Sequence, residues 1–295
     1  MAAPALRPRA QPPAMQLRCA GRMLDLETAV VMGVLNVTPD SFSDGGLFLD
    51  PAAALARAER MVEEGAAILD IGGESTRPGA RGVESEEELR RVLPVIERIA
   101  ARVPVLISVD TSNPELMQRA ADAGAHMIND VRALRVPGAM EAVAGGKLAV
   151  CLMHMQGEPV DMQRAPHYGD VLLEVRGFLE ERVRACSAAG IERERLCVDP
   201  GFGFGKTTAH NLELLQRFEE FESLGRPLAV GLSRKSILSA LTGRAPAERL
   251  AGSLALLTVA VLRGARIVRA HDVAASRDAA RVASALRPRS LVAGT

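Results

Sequence analysis

Eight short apolar runs, each followed by a longer segment of helical period, succeed one another along this chain. The runs are Val30–Asn36, Ala67–Ile71, Val105–Asp110, His126–Asn129, Leu148–Met153, Leu196–Asp199, Leu228–Gly231 and Arg266–Arg269. All eight are predicted strands. Strand-helix-strand units in one sheet run parallel with right-handed crossovers, and eight in succession at this spacing predict closure into a (β/α)8 TIM barrel of ~250 residues. A doubly wound open sheet is the alternative.

The predicted helix starts agree. Asp50-Pro51 and Asn113-Pro114 each place a capping side chain before a proline at the first helical position, where a missing N–H costs nothing. Ser85-Glu86-Glu87-Glu88 fits a capping box. Ala52 to Met61 and Leu89 to Ile99 carry apolar residues at spacings of three and four, one face toward a sheet. Ahead of the first strand, alternation on both sides of Ala20-Gly21 predicts a small hairpin over Gln16 to Glu27, a lid or plug rather than a domain. No Pro/Gly/Ser-rich linker follows it, so residues 15–295 read as one domain. Residues 1–14 carry four prolines and no apolar h-region, which predicts a disordered N-terminal tail rather than a signal or transit peptide, with Met15 an alternative start.

Composition narrows the function. Lys plus Arg (36) cancels Asp plus Glu (36), so there is no positive field for sequence-independent binding to nucleic acid or an anionic membrane. An anionic partner must be met locally. The longest apolar stretch, Leu254 to Leu262, falls far short of the ~20 residues of a bilayer-spanning helix and predicts a core helix. Cys19, Cys151, Cys186 and Cys197 form no C-x-x-C pair, which argues against structural zinc and a secreted disulfide framework and predicts reduced, packed thiols in a cytoplasmic protein.

In a barrel of this kind chemistry sits where strands end and βα loops begin. Nearly every predicted strand ends on a polar residue: Asn36, Glu74 with Arg77, Asp110, Asn129, His154, Asp199, Lys235, and Arg269 with His271. Any one Asp or Asn is as readily a helix cap. Eight together predict a polar ligand, because a buried ring of such groups is costly with nothing polar to fill it. Asp110, Asn129 and Asp199 suit a neutral, hydrogen-bonding heterocycle. Arg77, Lys235, Arg269 and His271 suit an anion, with phosphate the natural candidate. Arg269 and His271, two apart on a strand, share a face, although pairing with a neighbouring carboxylate is the other fate open to Arg269.

Two long loops, Val37 to Gly46 and Gly72 to Gly79, carry Phe42 and Arg77 beyond what turn chemistry requires, and loops of this type act as lids. Asp199-Pro200-Gly201-Phe202-Gly203-Phe204-Gly205-Lys206-Thr207 imitates a P-loop. Its spacing fails, since Pro200 stands where the first glycine belongs. What remains is a loop whose glycines let the backbone approach a ligand while Phe204 presents an aromatic wall. His154 lacks an accompanying nucleophile or zinc-ligand spacing, which favours a structural or supporting role. Lys235 follows Ser233-Arg234 in a loop, which favours a charged ligand contact over a Schiff base.

Taken together, Asn36 to Gly46, Gly73 to Gly79, Asp199 to Lys206, Ser233-Arg234-Lys235 and Arg269 to Val273 closely resemble the dihydropteroate synthases, in the family's order over residues 30–275. The resemblance implies a dimeric eight-stranded barrel that condenses 6-hydroxymethyl-7,8-dihydropterin diphosphate with p-aminobenzoate, releasing 7,8-dihydropteroate and pyrophosphate. It assigns Asp110, Asn129, Asp199 and Lys235 to the pterin. Asn36, Arg77, Arg269 and His271 go to the diphosphate, with Asn36 near Mg²⁺. Phe42, Thr76, Pro78, Phe204 and Ser233 go to p-aminobenzoate, the substrate that sulfonamides mimic. Asp110, Lys235, Arg269 and His271 carry the catalysis it implies, with Asp40 and Asp44 on the first loop. Phe202 and Glu158 depart from the family's usual residues, which bears on drug response and loop conformation rather than on the reaction. A pterin-binding methyltransferase domain would leave the cations without purpose. A non-catalytic paralogue would be expected to have lost part of the first loop or the Arg-x-His pair.

Overall fold

The computed structural model describes residues 15–38, 51–75, 79 and 82–287. The predicted tail and Asp40, Phe42, Asp44, Thr76, Arg77 and Pro78 lie outside the described residues.

Strands β1 (Gln16–Cys19) and β2 (Arg22–Asp25) pair antiparallel, Gln16 opposite Asp25 and Cys19 opposite Arg22. Ala20 and Gly21 join them, both at positive φ, as a two-residue hairpin turn requires. The barrel follows as β3 (Val30–Asn36), α1 (Pro51–Glu63), β4 (Ile68–Gly72), α2 (Ser85–Arg102), β5 (Leu106–Asp110) and α3 (Pro114–Asp122). It continues as β6 (Met127–Asp130), α4 (Ala139–Ala144), β7 (Ala149–Met153), α5 (Val171–Ala188), β8 (Leu196–Asp199) and α6 (Thr208–Gln216). It ends as β9 (Leu228–Gly231), α7 (Ser236–Thr242), α8 (Leu250–Leu262), β10 (Ala265–Ala270) and α9 (Val273–Leu286). All barrel pairings are parallel, and β10 pairs with both β9 and β3. Closure excludes the open sheet.

Strand alternation divides the interior in two. Outward residues such as Val31, Leu69, Ile107 and Val150 pack under the helices. Inward residues Met32, Ile68, Leu106, Met127, Cys197 and Ile267 form a separate cluster with Leu17, Cys19 and Leu26 of the hairpin segment. The hairpin is therefore a plug in the barrel floor. All four cysteines are free and buried.

Two local expectations need correction. Asn113 caps α3 as predicted, accepting from the Glu115 and Leu116 N–H groups. Ser85, however, is not a cap: it is the first residue of α2, behind Glu84, with no capping-box bond. Asn113 reaches back instead, its Nδ2 donating to Ser85 Oγ at 2.7 Å and Glu88 Oε2 at 3.2 Å, so a tertiary contact replaces the local box. The apolar helix α8 is also less internal than expected. It buries Ser253, Leu257, Ala260 and Val261 but exposes Leu250, Val259 and Leu262. Among the described residues no helix is long and apolar enough to cross a membrane.

Candidate active site

The inward alternation that fills the floor with Ile68, Leu106, Met127 and Ile267 turns polar one pleat higher, at Asp70, Ser108, Asn129 and Arg269. At the strand ends Asn36 pairs with Gly72, Gly72 with Asp110 and Asp110 with Asn129 across four neighbouring strands. Gly72 leaves room between its neighbours. A Cβ there would lie 3.4 Å from Asp110 Cβ and 3.8 Å from Asn36 Oδ1.

Arg269 ties this wall together. Its Nε donates to Asp70 Oδ2 at 2.6 Å and its Nη2 to Asp110 Oδ2 at 2.8 Å. Asp70 Oδ2 also accepts from Asn129 Nδ2 at 3.1 Å. Of the two fates open to Arg269, pairing with carboxylates is realised, and it uses Nε and Nη2 but not Nη1. Asp70 is fully buried, and Asp110 and Asn129 nearly so. Burial pushes the Asp110 carboxyl above the usual carboxylate range, partly offset by the Arg269 guanidinium, while the two carboxylates hold Arg269 firmly protonated despite its burial.

The opposite wall comes from β8, β9 and their loops. Asp199 Oδ1 accepts from Gly201 N–H at 2.7 Å, and burial raises its pKa against the pull of Lys235. Lys235 donates to the Phe202 carbonyl and holds its Nζ 4.5 Å from the Phe204 ring centroid. Burial lowers its pKa to about 8, opposed by Asp199. At Gly231 a Cβ would lie 3.8 Å from both Lys235 Nζ and Arg269 Cβ, in ordinary contact with both cationic side chains. Ser233 Oγ accepts from the His271 backbone N–H at 3.3 Å and lies 3.0 Å from His271 Nδ1. Arg57 Nη2 holds the His271 carbonyl at 3.1 Å.

Asn36, Asp110, Asn129, Asp199, Phe204, Ser233, Lys235, Arg269 and His271 thus gather at one barrel mouth, Arg269 tied to Asp110 on one side and Lys235 beside Asp199 on the other. His154 stands behind this wall, buried, its Nδ1 2.9 Å from Lys206 Nζ and its ring edge-on to Phe178. Of the two departures noted above, Phe202 turns its ring away to pack on Phe218, and Glu158 pairs with Arg132 at 2.7 Å. Sequence reading missed Asp70 and Lys206. The signal for Asp70 was a lone charge in an otherwise apolar strand, Ile68-Leu69-Asp70-Ile71.

The pterin binding enzyme family matches residues 32–271. Dihydropteroate synthase of Escherichia coli K12 is 53% identical over 271 residues, 92% of this chain and 96% of that protein. The chain belongs to the dihydropteroate synthase family. The Yersinia pestis dihydropteroate synthase, solved with a sulfonamide drug, superposes with a TM-score of 0.89 at 49% identity, covering 92% of this chain and 99% of that one. The Xanthomonas albilineans dihydropteroate synthase with 4-aminobenzoic acid gives a TM-score of 0.88 at 54% identity, covering 93% and 99%. The same enzyme with 7,8-dihydropteroate gives 0.82 at 49%, covering 92% and 98%.

Among the described residues no group of three His, Cys, Asp or Glu side chains could hold a metal. Among those residues the Mg²⁺ that the resemblance implies would find no protein cage. Asn36 would hold such an ion through its carboxamide oxygen, with substrate phosphates and water supplying the other ligands, as is common for Mg²⁺.

Proposed function

We infer that this chain condenses 6-hydroxymethyl-7,8-dihydropterin diphosphate with p-aminobenzoate, giving 7,8-dihydropteroate and pyrophosphate. The observation that carries this reading is the convergence of Asp110, Asn129 and Asp199 with Lys235, Arg269 and His271 at one mouth. Asp110, Asn129 and Asp199 supply donors and acceptors for the edge of a flat heterocycle. Arg269 Nη1 and His271, with Arg77 beyond the described residues, meet the diphosphate tail. Ser233 and Phe204, together with Phe42, Thr76 and Pro78, receive p-aminobenzoate.

These groups fit a dissociative departure of pyrophosphate. The leaving anion is met by fixed donors, and the carbon left behind is flanked by the carboxylates of Asp110 and Asp199. An aromatic amine attacks as a neutral nucleophile, so no strong base is required. Lys235, beside Asp199 and over the Phe204 ring, orients the pterin. Bound beside Asn36, Mg²⁺ would supply charge neutralisation of the diphosphate. A non-catalytic paralogue could dispense with the cations, and Lys235, Arg269 and His271 are all present at the mouth.

A homodimer is part of the proposal. Leu241, Leu250, Val259, Leu262, Val282 and Leu286 of α7, α8 and α9 are exposed apolar side chains, supporting a second copy against that face. Val259→Lys is expected to convert a dimer to a monomer by light scattering. Four free thiols support a cytoplasmic setting.

The deciding experiment measures 7,8-dihydropteroate and pyrophosphate with and without p-aminobenzoate, over a Mg²⁺ titration. Stoichiometric formation of both, dependent on p-aminobenzoate and Mg²⁺, is expected. Binding of the pterin diphosphate with no product would establish the non-catalytic reading instead.

A further inference from the structure

Each carbonyl oxygen from Gly201 to Gly205, in the segment between β8 and α6, accepts a hydrogen bond from a side chain. Lys206 Nζ donates to Gly201 O at 2.9 Å and to Phe204 O at 3.1 Å. Lys235 takes Phe202 O, Gln163 Nε2 takes Gly203 O at 2.5 Å, and the Tyr168 hydroxyl takes Gly205 O at 2.8 Å. Lys206 is 2% exposed, and its third acceptor is His154 Nδ1 at 2.9 Å. The His154 carbonyl oxygen also lies 3.5 Å from the same Nζ, and burial, ahead of the neighbouring Lys206, depresses the His154 pKa to about 2.

A buried amine with no carboxylate in contact is costly, burial pushing its pKa well below the ordinary lysine value against the pull of Asp199, and a methionine of similar length would avoid that cost. None of the chemistry proposed above uses the Lys206 amine. What the amine does is bridge two carbonyls three residues apart, folding the segment around itself. The segment has no slack: a Cβ at 201 would lie 1.9 Å from His154 O and one at 205 would lie 2.2 Å from Gln156 O. At its tip sit the Phe204 ring, under Lys235 Nζ, and the Phe202 carbonyl that holds the same ammonium.

We propose that Lys206, with the Tyr168 hydroxyl closing the far end, is a positioning residue that holds the 201–205 segment so that the Phe204 ring forms the receiving wall for p-aminobenzoate. Neither residue touches substrate. The inference rests on the assignment of Phe204 to the p-aminobenzoate subsite made above.

The test is steady-state kinetics of the full-length enzyme with both substrates varied, on Lys206→Met, Tyr168→Phe and Phe204→Ala. Lys206→Met keeps the stem volume and removes the Nζ donors. It is expected to raise KM for p-aminobenzoate at least tenfold and to change KM for the pterin diphosphate less than threefold, because Asp110 and Asn129 sit on strands rather than on this segment. A purely structural lysine would lower the active fraction and leave both KM values alone, and that result overturns the proposal. Should Lys206→Met not be recovered folded, Tyr168→Phe decides: a threefold or greater rise in the same KM supports positioning, and an unchanged KM overturns it. Phe204→Ala separates the two layers of argument. If it raises KM for p-aminobenzoate while the other variants do not, the positioning role alone fails. If it leaves that KM unchanged, the subsite assignment falls and the inference with it.

Discussion

Arg269 Nε and Asp70 Oδ2 lie 2.6 Å apart although 199 residues separate them in the chain. The same Asp70 oxygen accepts from Asn129, so one fully buried carboxylate orients two residues of the candidate site. Asp70→Asn keeps the volume but removes the charge that fixes the guanidinium. It is expected to lower kcat/KM at least 100-fold, about 2.7 kcal/mol of transition-state stabilisation. Asp70→Ala is expected to destabilise the fold by about 2 kcal/mol in urea titrations, the scale of lost hydrogen bonds to charged groups.

Lys235 dictates an alkaline limit. Its pKa, lowered to about 8 chiefly by burial, means the ammonium is present below that pH and lost as pH rises through it. The pH profile of kcat/KM is expected to fall on its alkaline side with a midpoint near pH 8. Lys235→Arg, which stays charged, is expected to lose at least tenfold in rate and to show no such limb below pH 10, roughly. A limb in the same place in both proteins would assign it to another group.

Gly201 tolerates no side chain. Its φ is +71°, and a Cβ would stand 1.9 Å from the His154 carbonyl oxygen. Gly201→Ala is expected to cost about 3 kcal/mol, from backbone strain and overpacking together. Gly190, also at positive φ but with nothing near its Cβ position, is the control for strain alone. Gly190→Ala is expected to lower Tm by much less.

The floor plug contributes stability rather than chemistry. Leu17 is fully buried against the inward residues of the barrel floor. Leu17→Ala is expected to destabilise by about 3 kcal/mol, the ordinary cost of a core cavity. Both KM values should stay within twofold of the parent, which steady-state kinetics on the folded variant will check.

Much of this architecture was legible from the chain alone. Strands β3, β8 and β9 have the bounds that apolar patterning predicts, and the others differ by a residue or two, because a strand buried on both faces is marked by its own composition. The polar ends of those strands pointed to the mouth for the same reason. What escaped were relations between distant segments. Nothing near Asp70 announces Arg269, and the local Ser85-to-Glu88 pattern gives no hint that Asn113 engages both side chains. Lys206 was hidden by its neighbours, since Gly205-Lys206-Thr207 invites comparison with a phosphate-binding loop. Its actual partners are backbone carbonyls and His154.

Because the hairpin stoppers the tube at its base, the well is blind, and everything that enters must leave by the way it came.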